Sequence, residues 1–356
     1  MKSLLIVLLL TLSVPVFAQH FTDSTCARYF EFTDKLRKGD TISKADWHNF
    51  VQDKAIQVYM ADQGLGDAYF EAYRKTMQFV YKPGNEAKVQ ARVKDSLNNW
   101  LVYIIYQYKK YEPGMRAYLK RIEAKPDAYF AVCYKYAYTA LPKNAQKKIP
   151  QEAFSIIPLH NDAHAEQGRV VFTLLCAYLN DMNRFGALGG HEMHHVLRPQ
   201  PDINPEKQDI NVISATYRVL NEGSADMVDK KYMSDTARAL LPSQRYFTEF
   251  FNDAKRVLPH MDTLLRDTTG KYKVWDYFKP SEYSNGHVPG TYMSYYIEKN
   301  GLKAKLLQHL DDPFYFFIIY NQAAKRDRSK PFVFSDAAMA HLEALERKYF
   351  GRGKRR

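Results

Sequence analysis

The chain has 356 residues, and its 51 Lys and Arg against 39 Asp and Glu give a net charge of +12. This length can bury a sizeable core in one large or two closely packed domains. Three cysteines, Cys26, Cys133 and Cys176, are too few for a disulfide framework and are not spaced as metal ligands. No nucleic-acid motif accompanies the positive charge, so we expect a basic, solubilising surface and no nucleic-acid partner.

The first 18 residues have the pattern of a cleaved secretory signal. Lys2 precedes an apolar run from Leu4 to Val14, and Val16-Phe17-Ala18 offers the small residues that signal peptidase requires. The run is too short to predict a membrane-spanning helix, although an uncleaved anchor is the alternative. We therefore expect an exported protein, periplasmic or extracellular, with no integral membrane segment after cleavage.

Helical periodicity dominates the chain on both sides of a short central stretch. From residue 19 to 127 apolar residues recur at spacings of three and four, as in Leu101, Ile104 and Ile105, and Pro83-Gly84 and Pro113-Gly114 are expected to form turns. Residues 241–350 are again predicted as helices, broken at their prolines, and residues 351–356 form a basic tail. The expected fold class is therefore mainly α (α+β), with helical N- and C-terminal regions around a small sheet.

The central region, residues 128–240, begins with a change of pattern. Residues 128–140 alternate aromatic and small side chains, and residues 154–159 and 168–175 are short β-branched or apolar runs. We expect a small sheet here with at least one hairpin. His160 and His164 are four residues apart, as in a metal-binding pair, but they fall in an expected turn, and we interpret them as surface or cleft residues.

The stretch from Gly189 to His195 contains His-Glu-x-x-His, as His191, Glu192 and His195. On a helix, positions four apart lie on one face, so His191 and His195 can direct two imidazoles at one metal ion. Glu192 lies about 100° further round, where it can hold a water but is poorly placed as a ligand. The pattern is a zinc-peptidase signature, and the alternative is an ordinary helix that matches it by chance.

A zinc site with two histidines needs a third ligand from elsewhere and leaves one position for water. Glu222 is the natural candidate, and Asp226 lies one helical turn beyond it. Because a metal-bound histidine usually donates its other ring N–H to a carboxylate, Asp226 is expected to support a ligand histidine. The alternative is an ordinary acidic helix face. The two helices are expected to run from near Asn180 or Asp181 to just before Pro199, and from Val212 to Lys231.

With these residues the chain resembles the gluzincin zinc metallopeptidases, the clan that includes thermolysin. The stretch from Gly286 to Met293 is similar to an uncharacterised bacterial family of zinc-dependent peptidases. The resemblance implies a zincin-type pair of active-site helices beside the small sheet. Two features differ: the spacer from His195 to Glu222 holds 26 residues, longer than in thermolysin, and no Gly-x-Met-Glu-Asn exopeptidase motif precedes the first helix.

The expected activity is peptide hydrolysis with Zn²⁺ as cofactor and a peptide or protein as substrate. Glu192 would take a proton from the attacking water and pass it to the leaving amine. His287 and Tyr292 are the candidate donors to the oxyanion, on a tight loop suggested by Gly286 and Gly290, although Tyr292 can equally begin a helix. The alternatives are a zinc hydrolase of a lipid or cell-wall amide or ester, and an exported binding protein with a vestigial site.

Overall fold

The computed structural model describes residues 24–149, 154–166, 168–230, 246–281 and 286–351, so the expected signal and residues 352–356 of the basic tail lie outside it. Seven helices form the first part of the chain. Their bounds are α1 (Ser24–Arg37), α2 (Lys44–Val51), α3 (Lys54–Asp62), α4 (Asp67–Tyr81), α5 (Glu86–Val93), α6 (Trp100–Ala124) and α7 (Pro126–Tyr138). Side chains cap α2 and α3: the Ser43 hydroxyl accepts from the Asp46 N–H, and the Asp53 carboxylate accepts from the Ala55 N–H.

One of the two turns expected in this part is absent, because tertiary packing outweighs local propensity. Pro113-Gly114 was expected to be a turn but lies inside α6, whose face is buried through Tyr108 and Met115. A Cβ on Gly114 would lie 2.2 Å from the Tyr178 hydroxyl, so the glycine allows Tyr178 to pack against the helix. The expected turn at Pro83-Gly84 is present, with Gly84 at φ +84°.

The small sheet is present, but it begins later than the change of pattern. Residues 128–140 lie mostly in α7, where Phe130, Cys133 and Ala137 form a buried helical face despite their aromatic-and-small alternation. The strands are β1 (Phe154–Ile157), β2 (Ala163–Glu166) and β3 (Arg169–Thr173), in the order β1-β3-β2. β1 is parallel to β3, with Phe154 opposite Val170, and β2 pairs antiparallel with β3 as a hairpin. β2 is therefore an edge strand, and His164 lies in it and not in a turn.

Three helices follow the sheet: α8 (Leu174–Asn183), α9 (Ala187–Leu197) and α10 (Ile210–Asp229). The helix expected from Asn180 or Asp181 is in fact interrupted, because Gly186 takes φ +79° and α9 begins after it. The Asp181 carboxylate accepts from the Gly186 N–H at 2.9 Å and so fixes this break. α9 ends two residues before Pro199, as expected, and α10 differs from its expected bounds by two residues at each end.

The C-terminal part is helical, as expected. Its helices are α11 (Tyr246–Leu265), α12 (His287–Lys299), α13 (Lys303–Leu307), α14 (Pro313–Arg326) and α15 (Asp336–Phe350). Pro259 does not break α11 but lies inside it. Pro289 occupies the first turn of α12, where a missing N–H costs little, so Gly286 to Gly290 begins a helix and is not a loop.

Two glycines allow α10 and α12 to pack in backbone contact. A Cβ on Gly223 would lie 2.7 Å from the Gly290 Cα, and a Cβ on Gly290 would lie 2.6 Å from the Gly223 nitrogen. Only glycine fits on both sides of such a crossing. The close approach brings the first turn of α12 beside the acidic face of α10.

The buried apolar side chains form one cluster that extends from Cys26 in α1 to Leu345 in α15. The protein is thus mainly α with a small sheet, which confirms the expected fold class. Within the described ranges, no helix combines the length and apolarity needed to cross a bilayer.

Candidate metal centre

α9 presents His191 and His195 on one face, as the four-residue spacing predicts. Their Nε2 atoms lie 3.1 Å apart, and the two rings meet edge to face. His191 is almost fully buried, and the side chain of His195 is 10% exposed. His194, between them, turns the other way and lies within hydrogen-bond distance of the Ala140 carbonyl at 3.2 Å. His194 is therefore packed in the protein interior, whereas His191 and His195 line a cavity on the other side of α9.

Glu222 on α10 completes a group of three. Its Oε2 lies 3.4 Å from His195 Nε2 and 3.8 Å from His191 Nε2. The three ligand atoms are all within 4.8 Å of one another. Burial alone would raise the pKa of Glu222, but His287 and His195 outweigh it and hold the pKa well below its usual range.

These three residues fit a zinc ion. His191 Nδ1 is engaged by a carboxylate, so the ring carries its proton there and its Nε2 lone pair points at His195 and Glu222. Two imidazole nitrogens and a carboxylate oxygen thus lie close enough together to bind one cation between them. Two histidines and a glutamate are a ligand set that zinc accepts in catalytic sites.

The carboxylate that supports His191 is Asp229 and not Asp226, which corrects the sequence prediction. Asp229 Oδ1 lies 2.9 Å from His191 Nδ1, whereas Asp226 Oδ1 lies 3.8 Å from it. Burial opposes a charge on His191, but Asp229 outweighs burial and raises its pKa well above the usual value. One face of α10 carries Glu222, Asp226 and Asp229, at spacings of four and three. The spacing in the sequence could therefore have identified Asp229 as a second candidate partner for His191. The crossing of α9 over α10 decides which carboxylate meets His191.

Asp226 instead holds His287. Its Oδ1 lies 3.2 Å from His287 Nδ1, and the Thr291 hydroxyl donates to its Oδ2 at 2.5 Å. His287 Nε2 then lies 3.3 Å from Glu222 Oε2. Burial lowers the pKa of His287, but the Glu222 and Asp226 carboxylates outweigh it and raise the pKa. His287, expected near the metal from its glycine-rich surroundings, therefore does lie at the site.

Tyr292 does not reach the site. Its ring packs against Phe251, Tyr296 and Tyr320, at centroid distances of 5.0, 4.9 and 6.3 Å. Because α12 begins at His287, positions 287 and 292 are five apart and face different directions. The residue that shares the face of His287 is Thr291, four positions on. Tyr292 is thus part of an aromatic cluster, and its expected role as an oxyanion donor is not supported.

Glu192 lies in the wall of a cavity of about 730 Å³ that also contains the three candidate ligands. Its carboxyl group is buried, and this burial raises its pKa. The edge strand also lines this cavity, through Ala163, His164 and Ala165. A carboxyl group with a raised pKa beside a metal-binding cluster is well suited to accept and release a proton.

The other histidine pair is placed differently. The His160 ring lies 2.8 Å from the Tyr59 hydroxyl through Nδ1, and His164 Nε2 lies 3.2 Å from Asp62 Oδ2. His164 lines the cavity wall, in agreement with its interpretation as a cleft residue. His160 has φ +66°, and its ring packs against Tyr59 of α3. Neither belongs to a candidate metal-binding group of the described residues.

Comparison of the chain with curated proteins and with solved structures gives no match. A family model does match, over residues 47–329, a range that includes every residue of the candidate metal centre. The description of that family is "Putative zinc dependent peptidase (DUF5700)". Since the match covers well over half of the sequence, the chain belongs to this family.

Proposed function

We propose that this protein is a zinc-dependent peptidase that cleaves peptide bonds with an activated water. The observation that carries the proposal is the convergence of His191 Nε2, His195 Nε2 and Glu222 Oε2 at the wall of a cavity that also contains Glu192. These residues would hold Zn²⁺, which would supply Lewis-acid chemistry: polarisation of the scissile carbonyl and a lower pKa, towards about 7, for a water.

Glu192 is the general base in this proposal. It follows His191 directly on α9 and lines the same cavity. Because consecutive helix positions are about 100° apart, it does not compete as a ligand. Its buried carboxyl group takes a proton from the attacking water and passes it to the leaving amine. The raised pKa favours the first of these transfers, because a more basic carboxylate is a better acceptor for the proton of the water.

His287 stabilises the oxyanion that forms when water adds to the peptide carbonyl. Asp226, which accepts a hydrogen bond from the Thr291 hydroxyl, fixes the His287 ring through Nδ1, and this leaves Nε2 directed towards Glu222 and the cavity. An imidazole held in this way carries a donor at Nε2 when it is protonated, and its raised pKa favours that form. A preorganised donor of this kind acts mainly in the transition state.

A peptide substrate is favoured over a lipid or cell-wall amide by the edge strand. β2 pairs with β3 on one side, and no other strand of the described residues pairs with its second side. Ala163, His164 and Ala165 of this strand line the cavity. An extended peptide can add to such an edge through main-chain hydrogen bonds, and a lipid cannot. The substrate is therefore a peptide or protein segment in extended conformation.

We also propose that the protein acts outside the cytoplasm. The apolar run from Leu4 to Val14 and the small residues that end at Ala18 support export. Nucleic acid is not proposed as a partner, since the positive charge is spread along the chain. Sequencing the N-terminus of the protein isolated from its native cell tests the cleavage site, and a start at Gln19 is the expected result.

The test of function uses Glu192→Gln beside the wild-type protein. The amide holds a water but cannot accept its proton, so zinc content should stay the same and hydrolysis of an unstructured protein such as casein should fall by about 10²–10⁴. Glu71→Gln on α4 is the matched control and should behave as wild type. Full activity in Glu192→Gln removes that residue from the mechanism, and a wild-type protein that neither binds zinc nor cleaves peptides overturns the proposal.

A further inference from the structure

Arg198 is a buried cation directly after the helix of the two histidines. Its side chain is 2% exposed. It donates from one nitrogen to the carbonyls of Leu310 and Pro199, at 2.5 and 3.1 Å. From the other it donates to Gln200 Oε1 and Asn221 Oδ1, at 3.2 and 3.1 Å. All four acceptors are neutral oxygens, although a buried cation is normally compensated by a carboxylate.

Asn221 connects Arg198 to Glu222, the candidate zinc ligand on α10. Arginine can only donate, so Asn221 must turn its Oδ1 towards Arg198. The amide nitrogen then faces Glu222 and donates to its Oε1 at 3.1 Å. With Oε1 held in this way, Oε2 is the oxygen that faces His191 and His195. The orientation of the amide, and through it that of the Glu222 carboxylate, therefore follows from Arg198.

A second connection joins the same two helices. Gln200 Oε1 accepts from both Arg198 and the Tyr217 hydroxyl, and Gln200 Nε2 donates to the His195 carbonyl at 3.3 Å. Tyr217 and Asn221 are one turn apart on α10, and the Arg198 guanidinium lies 5.0 Å from the centre of the Tyr217 ring. Arg198 thus ties the end of α9 to the turn of α10 that precedes Glu222.

We propose that Arg198 is a positioning residue for the metal site, and that it acts through Asn221 to hold the Glu222 carboxylate in its ligand orientation. The inference rests on the proposed function in taking Glu222 as a zinc ligand. It adds that the affinity for zinc depends on a cation that touches neither the metal nor the histidine rings. Loss of an outer partner of a ligand typically weakens metal binding by about 10–100-fold.

The first experiment is Asn221→Ala, with zinc affinity measured by competition with a chromogenic chelator and stability measured by thermal unfolding without metal. Zinc affinity should fall by about 10–100-fold. Asn321→Ala is the matched control: Asn321 is also a buried amide, its Oδ1 accepts from the Phe334 backbone N–H at 2.8 Å, and it does not line the cavity of the site. The control should lose stability and keep its zinc affinity. Unchanged zinc affinity in Asn221→Ala overturns the inference.

The second experiment is Arg198→Met alone and combined with Asn221→Ala. Because Arg198 acts through Asn221, the double variant should bind zinc about as well as the weaker single variant. If the losses of zinc affinity in the two single variants add fully in the double variant, Arg198 does not act through Asn221 and the inference is overturned. Arg74→Met is the control for loss of a buried arginine, since Arg74 donates to the Ile42 carbonyl and to Glu71 on α4. If Arg198→Met does not fold, the Asn221→Ala measurement still decides the question.

His191→Ala separates this inference from the proposed function. Wild-type protein should bind one zinc tightly, and His191→Ala should lose it. If both proteins take up zinc equally, the metal site itself is wrong and the proposed function fails. If His191→Ala loses zinc while Asn221→Ala and Arg198→Met keep wild-type affinity, the metal site stands and only the positioning inference fails.

Discussion

Two clusters of buried charge in this protein are built in opposite ways. In the first, Glu112 on α6 is 2% exposed and accepts hydrogen bonds on both oxygens. Arg37 donates at 2.8 and 2.7 Å and Arg116 at 2.9 and 2.7 Å. The hydroxyls of Thr33 and Tyr81 add bonds at 3.1 and 3.2 Å. A carboxylate surrounded by donors is fully satisfied, so this cluster has a structural role.

In the second cluster, three potential metal ligands face one another. His191 Nε2, His195 Nε2 and Glu222 Oε2 approach one another, and His195 Nδ1 is buried with no partner among the described residues. Such an arrangement is costly unless a cation joins the group. The comparison shows how a functional cluster is distinguished from a structural one: the structural cluster satisfies its own charges, and the functional cluster leaves them directed at a shared point.

The largest expected effect is a loss of zinc affinity when one of the three converging ligands is removed. Glu222→Ala removes one of three converging ligands and should weaken zinc binding far more than Asp229→Ala, which removes only the partner of His191 Nδ1 and should cost about 10–100-fold. Equilibrium dialysis against a zinc buffer measures both. Equal, small effects of the two substitutions would mean that Glu222 is not a ligand.

The next effect concerns turnover. His287→Ala should lower kcat by about 10²–10³, roughly 3–4 kcal/mol in the transition state, with zinc content unchanged. Tyr292→Phe is the control on the same helix, because its ring lies in an aromatic cluster, and it should keep wild-type kcat. The reverse result, with Tyr292→Phe impaired and His287→Ala active, would contradict the assignment made from the structure.

A substitution in the structural cluster around Glu112 should change the stability of the protein without changing its function. Glu112→Gln removes the buried carboxylate that Arg37 and Arg116 share and leaves them paired with the exposed Asp34. The free energy of unfolding should fall by about 2–3 kcal/mol, since both arginines are partly exposed. Chemical denaturation measures this loss, and zinc affinity should not change. Glu31→Gln, at an exposed pair with Arg28, should have almost no effect.

The last effect appears only when the pH is changed. Burial raises the pKa of Asp181 from 3.8 to about 6, while the Gly186 N–H and the Tyr118 hydroxyl donate to it. The folded state therefore favours the protonated form, and stability falls as the pH rises from about 4 to 6. Asp181→Asn removes this dependence, so its advantage over wild type should grow by up to about 3 kcal/mol between pH 4 and pH 7. Unfolding curves at both values test this, and parallel pH profiles would contradict it.

The sequence alone determined the parts of the site that depend on helical spacing. His191 and His195 had to share a face because they are four residues apart on one helix. Glu222 was identified because a two-histidine site needs a third ligand, and His287 was identified as a candidate from the glycines around it. Mainly helical structure followed from apolar periodicity over long stretches, where the signal is strongest.

Only the tertiary structure decided which groups meet across elements. Asp229 supports His191 because of the angle at which α9 crosses α10, and the helix spacing allowed Asp226 equally well. His287 and not Tyr292 faces the cavity because α12 begins one residue after Gly286 and lies in backbone contact with α10 at Gly223. Arg198 carried no signal in the sequence, since its role depends on a contact with Asn221 across 23 positions. Spacing within a helix is fixed by local geometry, whereas contacts between helices depend on how side chains pack over the whole core.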